Sequence, residues 1–254
     1  MATRHDHDAG GDADVLALKG ELREDTWALM SVEGVARFPR PDGRIPNFVG
    51  AEAAADRLQQ TAEWKAASTV KANPDSPQWP VRQRALEDGK VVYMAVPRLA
   101  EDDPFFLLDP DDLADTPRKS SSIKGASRSA RTVAVADLDP VDLVVTGCVA
   151  VDETGARLGK GGGFSDLENA LASEAGLIGP GTVIVTTVHE RQVRAVGEIP
   201  MGDHDFGLDL IVTPDRVIEC PPRRSGGRIE WAELTPEKIA SIPLLRAMAG
   251  RLGR

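Results

Sequence analysis

Three near-continuous apolar runs, Leu143–Val151, Val183–Val188 and Leu208–Val212, constrain this chain more than any other feature. A strand that is apolar on both faces has no side to offer water, so it belongs inside a sheet covered on both faces. The segment Leu167–Ala175 between the first two runs reads as a helix. Upstream the same alternation appears: Val81–Asp88 has a helical pattern, Gly89 is placed to end it, and Val91–Val96 is a strand closed by Pro97. Strands alternating with helices predict a three-layer α/β domain, with a mixed, mainly parallel sheet and helices on both faces.

The remaining segments fill in around that sheet. Val15–Val32 carries Leu18, Leu22, Leu29 and Met30 at helical spacing. Pro39, Pro41, Gly43 and Pro46 make residues 37–48 a loop. Ala51–Ala67 reads as one helix burying Ala55, Leu58, Ala62 and Trp64, and a short strand follows at Ser68–Lys71. Thr132–Ala136 reads as another buried strand, and Pro236–Ile239 and Leu244–Leu252 as closing helices. Residues 1–14 read as a disordered tail and 15–254 as one domain. Trp64, Trp79 and Trp231 read as core or loop anchors, and His189 as a cap. Leu113–Ala130, with Lys119, Ser120-Ser121-Ser122, Lys124, Gly125 and Arg128, reads either as a solvated linker or as a mobile loop whose cations approach an anionic ligand.

Composition narrows the function classes. Asp and Glu number 40 against 30 Lys and Arg, a net charge of −10, so a nucleic-acid partner is not expected. No apolar run approaches the roughly 20 residues of a membrane span, and no apolar signal core precedes Asp14, so the expected compartment is the cytoplasm. Cys148 and Cys220 are the only cysteines, too few for a disulfide framework or a cysteine-built zinc site.

The segment most informative about chemistry runs from Asp152 to Leu167 and contains Arg157-Leu158-Gly159-Lys160-Gly161-Gly162-Gly163-Phe164-Ser165-Asp166. Four glycines within five residues cost backbone entropy, which a purely structural turn seldom needs. They let backbone N–H groups approach an anion closely at the start of a helix. Arg157 and Lys160 add positive charge, and Asp166 is the natural Mg²⁺ ligand beside phosphate oxygens. By itself the cluster indicates a phosphate site. It is not a Walker A loop, because no Gly-Lys-Ser/Thr stands at the required spacing.

Arg-Leu-Gly-x-Gly-x-Gly-aromatic-x-Asp, at Arg157 to Asp166, resembles the ATP-binding signature of the 5-formyltetrahydrofolate cyclo-ligases, also called methenyltetrahydrofolate synthetases. Gly89-Lys90 with Val91–Pro97 upstream, and Gln192, Pro200, His204-Asp205, Asp209 and Val212-Thr213-Pro214 downstream, match the same family in order. Arg44–Phe48, Val70–Gln78, Ile229-Glu230-Trp231 and Ile242–Arg246 are similar to its divergent branch, the methenyltetrahydrofolate-synthase-domain-containing proteins. The resemblance runs from about Leu16 to the C-terminus.

The resemblance implies a sugar-isomerase/CoA-transferase-like fold and an ATP- and Mg²⁺-dependent conversion of 5-formyltetrahydrofolate, a folate-type small molecule, to 5,10-methenyltetrahydrofolate. Gly159, Gly161, Gly162, Gly163 and Phe164 would then hold ATP, with Lys19 and Arg23 as an N-terminal basic pair. Arg157, Lys160 and Asp166 would serve catalysis, Asp166 as the metal ligand, and His204 and Asp205 would meet the substrate; His204 reads equally as a turn-fixing residue. Three departures stand out. Phe164-Ser165-Asp166-Leu167 replaces the family's Tyr-Tyr-Asp-Arg, losing a cation and two hydroxyls; Lys71–Asp75 replaces its folate-contacting glutamate segment; and Leu113–Ala130 is longer and more basic. An ATP-using enzyme of thiamin or one-carbon metabolism acting on another small molecule, and a catalytically weak nucleotide- or folate-binding regulator, remain as alternatives.

Overall fold

The computed structural model describes residues 8–97, 102–202, 205–222, 229, 231 and 234–252. Helix α1 (Asp8–Val32) precedes a hairpin of β1 (Ala36–Arg37) and β2 (Asn47–Phe48), followed by α2 (Ala51–Leu58), α3 (Ala62–Ala66) and β3 (Thr69–Ala72). Next come α4 (Trp79–Glu87), β4 (Val91–Ala95), β5 (Phe105–Leu108), α5 (Pro117–Ser120), α6 (Ile123–Ser129) and β6 (Arg131–Val133). The chain continues through β7 (Leu143–Val145), β8 (Ala150–Asp152), β9 (Arg157–Leu158), α7 (Phe164–Glu174), β10 (Val183–Thr187) and β11 (Val193–Arg194). It ends with β12 (Leu210–Val212), β13 (Val217–Glu219), α8 (Pro236–Ser241) and α9 (Pro243–Leu252).

Eight of the described strands form one sheet in the order β13-β12-β10-β7-β3-β4-β5-β6. The five from β12 to β4 are mutually parallel, and β13, β5 and β6 close the edges antiparallel. Because side chains alternate across a strand, neighbouring residues enter different cores. Val70, Val92, Leu143, Val185 and Leu210 pack with Leu58 of α2, Trp64 of α3 and Val81 of α4. Tyr93, Val144, Ile184 and Ile211 pack on the other side with Leu167 and Leu171 of α7 and Leu245 of α9. Two cores on two faces make the three layers, and each fully buried Val or Leu contributes roughly 1.5–3 kcal/mol.

Several segments differ from the sequence expectation, each for a local reason. Leu143–Val151 is not one strand. At Gly147 an added Cβ would stand 3.0 Å from both Gln78 and Ile45, and past this tight point the chain re-pairs as β8 in a small β11-β8-β9 sheet. Ala51–Ala67 breaks at 59–61, where the Thr61 hydroxyl accepts from the Trp64 N–H at 3.2 Å and starts a second helix that leaves Ala62 exposed. The Thr132–Ala136 strand shrinks to a sheet edge whose Arg131 and Thr132 are exposed. Residues 113–130 are neither linker nor open loop, since they form α5 and α6 and bury Ala126 completely. Helix α1 already runs at Asp8, within the segment 1–14 expected to be a tail.

The chain order places a switch point at the sheet centre. From β3 it steps outward to β4, whereas from β7 it steps the other way to β10 and β12. Such points, at the carboxyl ends of parallel strands, are where α/β sheets bind ligands.

Candidate phosphate-binding site

The glycine segment sits over this switch point. β9 pairs antiparallel with β8, Arg157 opposite Val151, and delivers the chain into the loop 159–163 before α7. Gly161 (φ 98°) and Gly163 (φ 62°) occupy the left-handed region that other residues rarely adopt. α7 then begins at Phe164 with N–H groups that have no acceptor inside the helix. On the far side, Asn73 just past β3 donates to the Ser165 hydroxyl at 3.2 Å, and Lys160 pairs with Asp75 at 3.1 Å.

Three cations press against three alternate glycines. A Cβ at Gly159 would stand 3.6 Å from Arg157 Nη1, one at Gly161 3.5 Å from Arg23 Cζ, and one at Gly163 2.9 Å from Lys238 Nζ. Arg23 Nε donates to the Gly159 carbonyl at 2.7 Å, and Lys238 Nζ donates to the Gly162 carbonyl at 2.9 Å. In a planar trans peptide the following N–H points opposite the carbonyl. Holding these two carbonyls therefore turns the N–H groups of Lys160 and Gly163 to the other side of the loop.

Arg157 is the deepest of the three cations. It is buried, its Nη2 donates to Asp166 Oδ1, and its guanidinium lies over the Phe206 ring at 3.7 Å. Burial alone would lower its pKa, but the Asp166 carboxylate outweighs that and the value is raised. Its Nε and Nη1 are buried and have no hydrogen-bond partner. Unpaired buried donors of this kind cost about 1–3 kcal/mol each, a cost that a bound anion would relieve. Arg23 and Lys238 both have pKa values lowered by burial, opposed by Asp205 and Asp166 at Arg23 and by Asp166 at Lys238.

The structure brings most of the sequence-selected residues together. Lys19, Arg23, Arg157, Gly159, Lys160, Gly161, Gly162, Gly163, Phe164, Asp166 and Asp205 line one pocket of about 120 Å³. That volume suits phosphates rather than a whole nucleotide, since pockets for drug-sized ligands measure roughly 300–1,000 Å³. Asp205, selected from sequence for substrate contact, stands beside the loop, where it pairs with buried Lys19 at 2.5 Å and accepts from the Gly202 N–H at 2.7 Å. His204 lies outside the described residues. Asp166 keeps 21% of its side chain exposed while Arg157 engages one carboxylate oxygen. No group of three or more His, Cys, Asp or Glu gathers among the described residues. A Mg²⁺ ion here would thus rely on Asp166 and on phosphate oxygens, the donor set Mg²⁺ ordinarily takes.

Sequence reasoning missed Lys238, Phe206 and the buried pair of Lys71 with Glu168. Only the pair left a signal: a lysine inside the apolar strand Thr69–Ala72 needs a partner, though not one that the sequence names. His189 caps a short 3-10 turn, its Nδ1 accepting from the Arg191 N–H at 3.2 Å. A larger groove of about 720 Å³ opens near the amino ends of β10 and β12. Among the described residues its lining includes Glu63, Asp209 and Glu219 and no cation, which does not suit phosphate.

The sequence model of the 5-formyltetrahydrofolate cyclo-ligase family matches residues 15–214. The chain belongs to that family. The methenyltetrahydrofolate synthase domain-containing protein of Bos taurus is 39% identical over 235 residues, which cover 91% of this chain and 61% of that protein. The chain thus spans about three-fifths of the length of such relatives. The mitochondrial 5-formyltetrahydrofolate cyclo-ligase of Arabidopsis thaliana is 34% identical over 89 residues, 34% of this chain and 31% of that protein. Among solved structures, the 5,10-methenyltetrahydrofolate synthetase of Aquifex aeolicus shares the fold, with a TM-score of 0.53 at 20% identity over 84% of this chain and 98% of that one. No helix among the described residues is long and apolar enough to cross a membrane.

Proposed function

We propose that the glycine loop binds ATP with Mg²⁺ and that the chain converts 5-formyltetrahydrofolate to 5,10-methenyltetrahydrofolate. The observation that carries this reading is the seating of Arg157, Arg23 and Lys238 against Gly159, Gly161 and Gly163. Among the described residues, five cations (Lys19, Arg23, Arg157, Lys160 and Lys238) stand around the loop against three carboxylates (Asp75, Asp166 and Asp205), in a chain of net charge −10. So local a reversal of sign favours a polyanion.

The formyl oxygen is a poor leaving group. Transfer of the γ-phosphoryl to it forms a P–O bond and breaks the β,γ-anhydride, releasing ADP. N10 then attacks the activated formyl carbon and loses its proton, and the C–O bond breaks to release phosphate. Such transfer depends on positioning and on neutralising charge. The Lys160 and Gly163 N–H groups and the free donors of Arg157 are the groups available for that. Asp166 would hold Mg²⁺, which when bound neutralises charge on the phosphates.

A second reading, another small molecule on the same phosphate site, draws support from the segment after β3. Lys71 pairs with Glu168, Asn73 with Ser165 and Asp75 with Lys160, while Arg82 Nη1 donates to the carbonyls of Asn73 at 2.5 Å and Asp75 at 3.1 Å. These groups already satisfy one another and offer little to a pterin. Absorbance of methenyltetrahydrofolate, followed with ATP and Mg²⁺ and with each omitted, decides between the readings. ATP-dependent product supports the cyclo-ligase, whereas ATP binding without product sinks it in favour of the second.

A further inference from the structure

We propose that Lys238, which lies beyond the residues matched by the family's sequence model, is part of the phosphate site and binds the anion directly. This deepens the reading above and rests on it for the identity of the anion. The family match ends at residue 214, whereas Lys238 belongs to α8, in the C-terminal segment.

Lys238 is brought to the loop by packing. Thr235 caps α8, its hydroxyl accepting from the Lys238 N–H at 3.2 Å, and Pro236 starts the helix. Ile242 and Leu245, both fully buried, anchor α8 and α9 on the core beneath α7. That docking lays the Lys238 ammonium over the Phe164 ring at 5.3 Å and beside Gly163.

The ammonium is only partly used there. It has three N–H donors and gives one to the Gly162 carbonyl, and among the described residues it forms no ion pair with a carboxylate. A half-buried cation facing a carbonyl and a ring carries a desolvation cost that the Asp166 charge only partly offsets, which agrees with the downward shift of its pKa. It also stands beside Gly163, which opens α7, and the first N–H groups of that helix have no acceptor within it. A purely structural latch would need only the carbonyl bond. The two remaining donors, next to a left-handed glycine at the phosphate loop, suit an anion.

Calorimetry with inorganic triphosphate, and with ATP and Mg²⁺, on the wild type, Lys238→Met and Lys238→Arg tests the idea. The expected result is at least tenfold weaker triphosphate binding for Lys238→Met, with recovery to within about threefold of wild type for Lys238→Arg. In turnover, the KM for ATP rises tenfold and the KM for 5-formyltetrahydrofolate stays constant; a structural role would move both. If Lys238→Met unfolds, Lys238→Gln, which keeps the stem and a donor without the charge, gives the same comparison. A neutral variant that folds and binds triphosphate as wild type does overturns the inference. Triphosphate binding that depends on Lys238, without product from 5-formyltetrahydrofolate, overturns the folate reading alone. No triphosphate binding by the wild type overturns both.

Discussion

Residues 113–130 and 157–166 are alike in composition, both being rich in small residues and cations, yet they do opposite things. In the first, polar groups are satisfied by the segment itself or by the helices it packs against. Lys119 pairs with Asp115 at 3.1 Å on the surface, Arg118 lies over the Trp79 ring at 4.6 Å, and the Ser122 hydroxyl accepts from the Gly125 N–H at 3.0 Å. Its glycine serves packing: a Cβ on Gly125 would stand 1.9 Å from the Lys119 carbonyl oxygen. In the second, Gly161 and Gly163 hold left-handed conformations and two carbonyls are held by Arg23 and Lys238. Donors are thereby left over, notably Arg157 Nε and Nη1.

That contrast can be broken by substitution. The largest effect is expected for Asp166→Ala, which removes the carboxylate that holds Arg157 and would hold Mg²⁺. Turnover should fall about a hundredfold or more, the scale of losing one preorganised charge contact, and full activity in the absorbance assay would remove Asp166 from the site. Gly163→Ala comes next. A side chain at φ 62°, 2.9 Å from Lys238, costs roughly 1–2 kcal/mol and should weaken ATP severalfold in calorimetry. Gly125→Ala should reverse that pattern. Its clash lowers stability by roughly 1–3 kcal/mol, visible as a lower melting temperature, while affinity for ATP is unchanged. The smallest effect belongs to the combined Lys119→Ala, Lys124→Ala and Arg128→Ala variant. These exposed cations should change kcat/KM by less than about twofold, since surface pairs contribute about 0–1 kcal/mol. A tenfold loss would put segment 113–130 back among the ligand-binding elements.

Much of the fold was legible in the order of residues, because strand burial and helix periodicity are local patterns. Val91–Val96, Val183–Val188 and Leu208–Val212 each contain a strand of the central sheet, and Leu167–Ala175 overlaps α7 almost throughout. The glycine loop was legible for the same reason: four glycines, Arg157, Lys160 and Asp166 lie within ten consecutive residues, and ten residues are enough to form an anion nest. The breaks were harder to see. Leu143–Val151 is apolar apart from Thr146 and Gly147, and nothing within it tells that Gln78 and Ile45 crowd Gly147 and that the chain changes sheet there.

By itself, then, the sequence determined the layered α/β architecture, the family and the position of the glycine loop, all of which follow from contacts between near neighbours or from contiguous motifs. The family resemblance already placed Lys19 and Arg23 at that loop, but only the tertiary structure showed that Lys238 reaches it from α8 and that Asp205 pairs with Lys19 beside it. Lys71 finds Glu168 only because β3 lies under α7. Charge pairing acts through space over a few ångströms and ignores chain separation. Its partners were therefore set when the helices docked on the two faces of the sheet.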